Sequence, residues 1–440
     1  MKPKERYATA MEKEFNDWLA KFDSLEALFA SRHQLHARLQ NNNWMEGHLK
    51  SEDKAKAFCA VQHFNPFERA PMKAMKMSQR LRLLSDRGVQ LIDPRQVYVA
   101  DDVVLEHIFP ESILYPGTRL SGKNTVIAPG AIVGSEGPAT IVDSVIGAGA
   151  EVASGFVTGS VLMNQARIGA NGHIRSGTLL EEGASVAHAV GLKHTILTCF
   201  VTLGSLINCC DCLISGGRSR TNHTEVGSGF IHFNFTPWGE SGDKATPSII
   251  GGIPRGVFLR EERIFIGGLS GMVGPQQVGF GSFSVAGQII RSDIADHRIY
   301  SDQPRRIDAP WDFGIRGTTD ARLQRNLEYI GHLCALRAWY VDVRMARLSP
   351  NDSSSHQAMT LTAARKLIEG SVAERISRLN QYLRARNAIL PAIAFPAIEC
   401  PLRMAPSTVD HVDWVKSLSD EEVRHGSQWL QDIVDSVAGL

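Results

Sequence analysis

Apolar residues recur along the middle of the chain in steps of six. Ile108, Leu114, Leu120, Val126 and Ile132 are evenly spaced, and after the Gly-rich Gly134-Ser135-Glu136-Gly137 the step resumes at Ile146 and Val152. Leu162, Ile168, Ile174, Leu180, Val186 and Leu192 then hold one frame. Ile266, Met272, Val278 and Ile290 return to it, with Ser284 out of character. A period of six fits neither the 3.6-residue helix nor the alternation of a simple strand. It predicts a hexapeptide-repeat β-helix, in which each six residues make one short strand and one turn. Glycine after the apolar position (Gly147, Gly169, Gly267, Gly279) and the pairs Pro116-Gly117 and Pro129-Gly130 supply tight corners.

The flanks follow a different period. Met11, Phe15, Trp18, Phe22, Leu25 and Phe29 are spaced by three or four with charges between them, which predicts an amphipathic helix within 1–40 that packs on the chain's own β-helix. After Ile294 the hexads stop, and 295–317 is a polar connector. Leu323, Leu327, Ile330, Cys334, Tyr340 and Val343 predict a helix from Asp320 that ends near Ser349-Pro350. A second helix, basic on its polar side, is expected over 361–386 and a closing helix over 418–438, with Pro391, Pro396 and Pro401 breaking the stretch between. The chain thus divides into a helical N-terminal extension (1–78), a hexapeptide-repeat β-helix (79–296) and a helical C-terminal extension (297–440), giving a mainly β protein with helical flanks.

Composition narrows the function classes. The 440 residues carry 47 Lys plus Arg against 46 Asp plus Glu, a net charge of +1, which gives no support for nucleic acid or an anionic membrane as partner. No apolar run of membrane-spanning length appears, and the N-terminus lacks the apolar core of a signal peptide, so a cytoplasmic location is expected. Seven cysteines without framework spacing suit a reducing compartment. Cys209-Cys210-Asp211-Cys212 has no second ligand pair at zinc spacing, so its thiols are expected to be core packing and no metal site is assigned.

From about residue 79 the sequence resembles a known family. Gln79-Arg80-Leu81-Arg82-Leu83-Leu84 and Gly88-Val89-Gln90-Leu91-Ile92-Asp93-Pro94 are similar to the connector that enters the left-handed β-helix of the bifunctional N-acetylglucosamine-1-phosphate uridyltransferase/glucosamine-1-phosphate acetyltransferases. Ile174-Arg175-Ser176-Gly177 resembles that family's Leu-Arg-Pro-Gly, Val190-Gly191-Leu192-Lys193 its Val-Glu-x-Lys, Ser219-Arg220-Thr221-Asn222-His223 its Ser-Lys-Ala-Asn/Gly-His, and Phe233-Asn234-Phe235 the Asn-Tyr of its Asn-Tyr-Asp-Gly. Phe265-Ile266-Gly267-Gly268 through Val285-Ala286-Gly287 resembles its last coils. The resemblance covers about half the chain, residues 79–296. Nothing like the family's nucleotide loop precedes residue 79, so uridyl transfer by this chain alone is not expected.

The resemblance implies an acetyl-CoA-dependent transferase acting on an amino-sugar phosphate or nucleotide sugar, assembled as a homotrimer with sites between subunits. Such chemistry needs a base, donors for an oxyanion and cations for a phosphate. His223 is the candidate base, because imidazole titrates near neutrality, and Asn234 is a candidate to orient thioester or acceptor. Arg175, Lys193 and Arg220 are candidates to hold the phosphate, Gly268 and Ala286 to lie along the acetyl-CoA path. Lys244, with Trp238, sits in a loop without hexads, Thr236–Lys244, which either closes over a substrate or caps the coil below.

The sequence also departs from the family. Asn-Tyr-Asp-Gly is Asn234-Phe235-Thr236-Pro237 here, and the stretch from His223 to Asn234 is about two hexads short. Alignment pinned on Asn234 puts Asp211, in place of His223, at the position of the base. A second reading stays open on this account, a non-catalytic sugar-nucleotide binder or scaffold derived from the same fold.

Overall fold

The computed structural model describes residues 76–237, 243–303, 306, 308–310, 320–349, 354–390 and 392–440. The helix expected within 1–40 and Trp238 lie outside them. Helix α1 (Met77–Asp86) buries Leu81 and Leu84, and Arg80 Nη2 donates to the carbonyls of Ala100 (2.9 Å) and Val103 (2.7 Å), seating the helix on the first coil. From Gln90–Leu91 to Ile299–Tyr300, strands mostly two to four residues long stack into three parallel sheets of 11, 10 and 8 strands, the walls of a β-helix. Each coil visits the walls in fixed order, here termed the first face (for example Ser185–Val186), second face (Gly191–Lys193) and third face (Ile196–Leu197).

The hexad residues form the interior column, fully buried from Ile108 through Leu162, Leu180 and Leu192 to Met272 and Ile290. The frame differs from the sequence expectation at two positions. Ile127 and Val133 enter the column, while Val126 faces outward on the third face and Ile132 is half-buried. An extra residue at the corner between Leu120 and Ile127 shifts the frame there, upstream of the glycines.

The third face is apolar on both sides. Its inner residues Ile127, Ile146, Leu162, Leu180, Leu197, Ile214 and Ile250 fill the column. Its outer residues Val126, Val145, Val161, Leu179, Ile196, Leu213 and Ile249 form a straight ladder of paired neighbours. A strand buried on both faces reads as a continuous apolar pair rather than an alternation. What covers the outer ladder is the C-terminal helical layer: α2 (Asp320–Ala338, continued by a π turn Trp339–Arg344), α3 (His356–Arg384), α4 (His411–Ser417) and α5 (Asp420–Ala438). Leu327, Ile330, Leu333, Trp339 and Leu430 are buried with that ladder in one core. Ser355 and Ser419 cap α3 and α5 by accepting from Ala358 N and Glu422 N.

Candidate functional site

The corner between second and third faces carries most of the polar candidates. Arg175 follows the strand Gly172–Ile174, Lys193 ends Gly191–Lys193, Cys210 ends Asn208–Cys210, and Asn234 follows Ile231–Phe233, so they stack on successive coils. His194 (φ 47°) and Asp211 (φ 61°) take the left-handed corner position, above Gly177 (φ 79°). Glycine is required there: a Cβ on Gly177 would lie 2.2 Å from His194 Nδ1. The loop after Asn234 is closed at its base by Thr236 and Asp243, whose amides donate reciprocally to each other's carbonyls at 3.0 and 2.9 Å. Lys244 follows, its side chain exposed and its carbonyl 3.5 Å from Arg375 Nη1.

Asp211 is the hub of this corner and is 3% exposed. Its Oδ1 pairs with Arg375 Nη2 at 2.9 Å, and its Oδ2 accepts from Asn234 Nδ2 at 2.6 Å. Arg375 belongs to α3 and also pairs with its neighbour Glu374, which in turn pairs with Arg378 at 2.9 Å. Beneath them His232 occupies the interior column, Nδ1 2.6 Å from the Cys210 carbonyl and Nε2 2.8 Å from Ser248 Oγ. Burial lowers its pKa to about 4, so the ring is neutral, donating from Nδ1 and accepting at Nε2. Burial likewise lowers the pKa of His194, with the Glu374 carboxylate in partial opposition. Arg175 Nη2 reaches the Cys210 thiol at 3.5 Å, and burial raises that thiol's pKa. Cys209 and Cys212 point into the core, fully buried.

The other candidates stand at different corners. His223 and Arg220 belong to a small antiparallel hairpin, Gly217–Ser219 with Asn222–His223, at the corner between third and first faces. His223 Nδ1 is 2.8 Å from the Arg220 carbonyl and Nε2 is 3.8 Å from Glu225 Oε2. Arg220 Nη1 donates to the Gly183 carbonyl at 2.6 Å, bracing the hairpin on an earlier coil. Gly268 and Ala286 lie at the third corner, between first and second faces; a Cβ on the adjoining Gly267 would sit 2.4 Å from Ala286 N. Within one chain, then, Arg175, Lys193, Asn234 and Lys244 share one corner, spread over four coils, while His223 with Arg220 and Gly268 with Ala286 occupy the other two corners. The register pinned on Asn234 therefore places Asp211 beside it, and the one pinned on His223 does not bring His223 to it.

Arg375 and Glu374 were not among the sequence candidates. They lie in the C-terminal extension, and their local signal is that of any charged pair on a helix. A second buried polar group escaped for the same reason. Glu181, Glu182 and Cys199 gather ligand-type atoms within 4.8 Å at the third-to-first corner. Arg344 bridges both carboxylates and Tyr340 OH donates to Glu181 Oε1 at 2.8 Å, so the helical layer satisfies the cluster.

No protein-family model matches the chain. Similarity to curated proteins is partial and consistent. The chain is 27% identical over 229 residues to "Bifunctional protein GlmU" of Desulfitobacterium hafniense, a match covering 51% of this chain and 45% of that protein. It is 25% identical over 230 residues to that of Thermotoga maritima (52% and 45%) and 28% identical over 238 residues to that of Fervidobacterium nodosum (54% and 47%). The chain is a relative of the bifunctional GlmU proteins. It spans about half the length of the curated GlmU proteins it matches. Among the described residues, no helix is long and apolar enough to cross a membrane.

Proposed function

We propose that the protein is an acetyl-CoA-dependent N-acetyltransferase for an amino-sugar phosphate or nucleotide sugar, acting in the cytoplasm as a homotrimer. The observation that carries this reading is that Arg175 and Lys193 lie on adjacent coils of one corner, with Asn234 on the same corner two coils beyond Lys193. Among the described residues neither cation has a carboxylate partner, so both are available for charge-assisted hydrogen bonds to a phosphate.

Support for the trimer comes from the surfaces left uncovered among the described residues. The helical layer occupies the third face. Exposed apolar side chains stand on the first face (Phe283, Ile299), on the second (Tyr98, Ile231, Phe233) and at the corner between (Leu206 at 64% and Leu269 at 79%). A cyclic trimer joins unlike surfaces of neighbouring protomers. Setting the first face of one chain against the second face of the next buries these residues and turns the helices outward. The same packing brings His223 of one chain beside Arg175, Lys193 and Asn234 of its neighbour, with Gly268 and Ala286 along the inner edge for the acetyl-CoA chain. His223 is suited to act as base: its Nδ1 donates to the Arg220 carbonyl, which leaves Nε2 as the acceptor.

The test is release of free thiol from acetyl-CoA in the presence of glucosamine 1-phosphate and related amino-sugar phosphates. A second reading, a sugar-nucleotide binder without chemistry, is favoured by one observation: Asp211 is buried and fully engaged. That reading expects binding without acceptor-dependent thiol release.

A further inference from the structure

Among the described residues, the helical extension reaches Asp211 through Arg375, beside Arg322, which pairs with Asp243 at the base of the adjoining loop at 3.2 Å. Arg375 is 3% exposed, a guanidinium drawn out of solvent to meet Asp211 at 2.9 Å. Asp211 is thereby held in a fixed position, and its second oxygen takes a hydrogen bond from Asn234 at 2.6 Å. A carboxylate can only accept, so the carboxamide must present its nitrogen to Asp211 and turn its oxygen the other way. Among the described residues nothing donates to that oxygen. The corner therefore displays Arg175 and Lys193 for an anion and, two coils beyond Lys193, an oriented carbonyl oxygen that seeks an N–H or ammonium.

We infer that Arg375 is a positioning residue: through Asp211 it locks Asn234 so that Oδ1 selects an acceptor bearing an amine over one bearing a hydroxyl at the same carbon. A hydroxyl can donate to that oxygen too, but only as a neutral group, whereas an ammonium makes a charge-assisted hydrogen bond about twice as strong. A flipped carboxamide would offer its nitrogen, which a hydroxyl can accept from and an ammonium cannot. Discrimination thus depends on the amide's orientation and not only on its presence. The inference rests on reading this corner as the acceptor site and gives the C-terminal extension a part in that site.

The experiment is titration calorimetry of the full chain with glucosamine 1-phosphate and glucose 1-phosphate, run beside the thiol-release assay. The wild-type protein is expected to bind the amino sugar about tenfold or more tightly. Asn234→Leu should abolish that preference by lowering affinity for glucosamine 1-phosphate more than affinity for glucose 1-phosphate. Arg375→Met leaves Asp211 buried without its cationic partner and tests folding as much as orientation. The paired variant Asp211→Asn/Arg375→Gln removes both charges together and frees the amide to flip. It should lose the preference like Asn234→Leu while melting as a folded protein. A merely structural ion pair would shift melting without changing the ratio of the two affinities. Equal binding of the two sugars by the wild-type protein, or an unchanged ratio in the paired variant, overturns the inference. Preference without thiol release keeps the inference and removes acyl transfer. Thiol release with an unchanged ratio does the reverse, and no binding of either sugar rejects both.

Discussion

Asn234 and Asp211 are joined by a 2.6 Å hydrogen bond at the seam where the β-helix meets its helical cover. Asp211 also pairs with Arg375 at 2.9 Å, so the bond ties a coil corner to α3. Asp211→Ala would leave the buried guanidinium with Glu374 alone, and a broken buried pair costs up to about 3–5 kcal/mol. Urea unfolding should show that loss for Asp211→Ala and a much smaller one for the neutral pair Asp211→Asn/Arg375→Gln.

The outer ladder of the third face holds the helices on. Leu179 is fully buried between Val161 and Ile196 on that ladder. Leu179→Ala should cost about 2–5 kcal/mol by lost transfer and the cavity left behind. Thr202→Ala on the half-buried first face should stay within about 0.5 kcal/mol. Equal effects in denaturant melts would contradict the two-sided burial of the third face.

Buried His232 and half-buried His332 make stability depend on pH. Burial lowers the pKa of His232 to about 4 and that of His332 to about 4, from 6.5. His332 Nδ1 accepts from Ile253 N at 3.1 Å and can do so only when unprotonated. Both pKa values are depressed in the folded state, so the unfolded chain binds more protons below pH 6.5. The stability they protect is complete above pH 6.5 and is lost as pH falls through about 4. Each accounts for at most about 3 kcal/mol. The melting temperature should fall over that window, and His332→Gln should fall less steeply than wild type.

The fold was legible because its signal is periodic. Leu162 to Leu192 carry six hexads in one frame, and chance does not produce that spacing. The slip at Val126 and Ile132 was hidden, because both members of Val126-Ile127 and Ile132-Val133 are apolar and only packing chooses the inner one. The same doublets, Val145-Ile146, Val161-Leu162, Leu179-Leu180 and Ile196-Leu197, already announce a face covered on both sides. The site was legible only by corner. Arg175, Lys193 and Asn234 share one because the repeat fixes their position around the coil. His223 escaped the repeat in an irregular hairpin, and Arg375 arrives from a helix whose docking no local pattern specifies.

If His223 acts across subunits, two broken chains should repair each other. His223→Ala and Arg175→Ala homotrimers should each lose activity, His223→Ala by about 10²–10⁴-fold in turnover as expected for a general base. Co-assembled in equal amounts at random, they should regain about a quarter of the intact interfaces. No recovery in co-expressed, affinity-separated mixed trimers would place His223 outside the acceptor site.

The acyl-transfer reading is tested most directly by thiol release from acetyl-CoA with glucosamine 1-phosphate as acceptor, comparing wild type with Arg175→Ala and Lys193→Ala. The predicted result is acceptor-dependent release in the wild type, with each substitution raising the Michaelis constant for the phosphorylated acceptor through a lost charge-assisted hydrogen bond. The account is contradicted if no amino-sugar phosphate stimulates thiol release above the acceptor-free rate, or if both substitutions leave that constant unchanged.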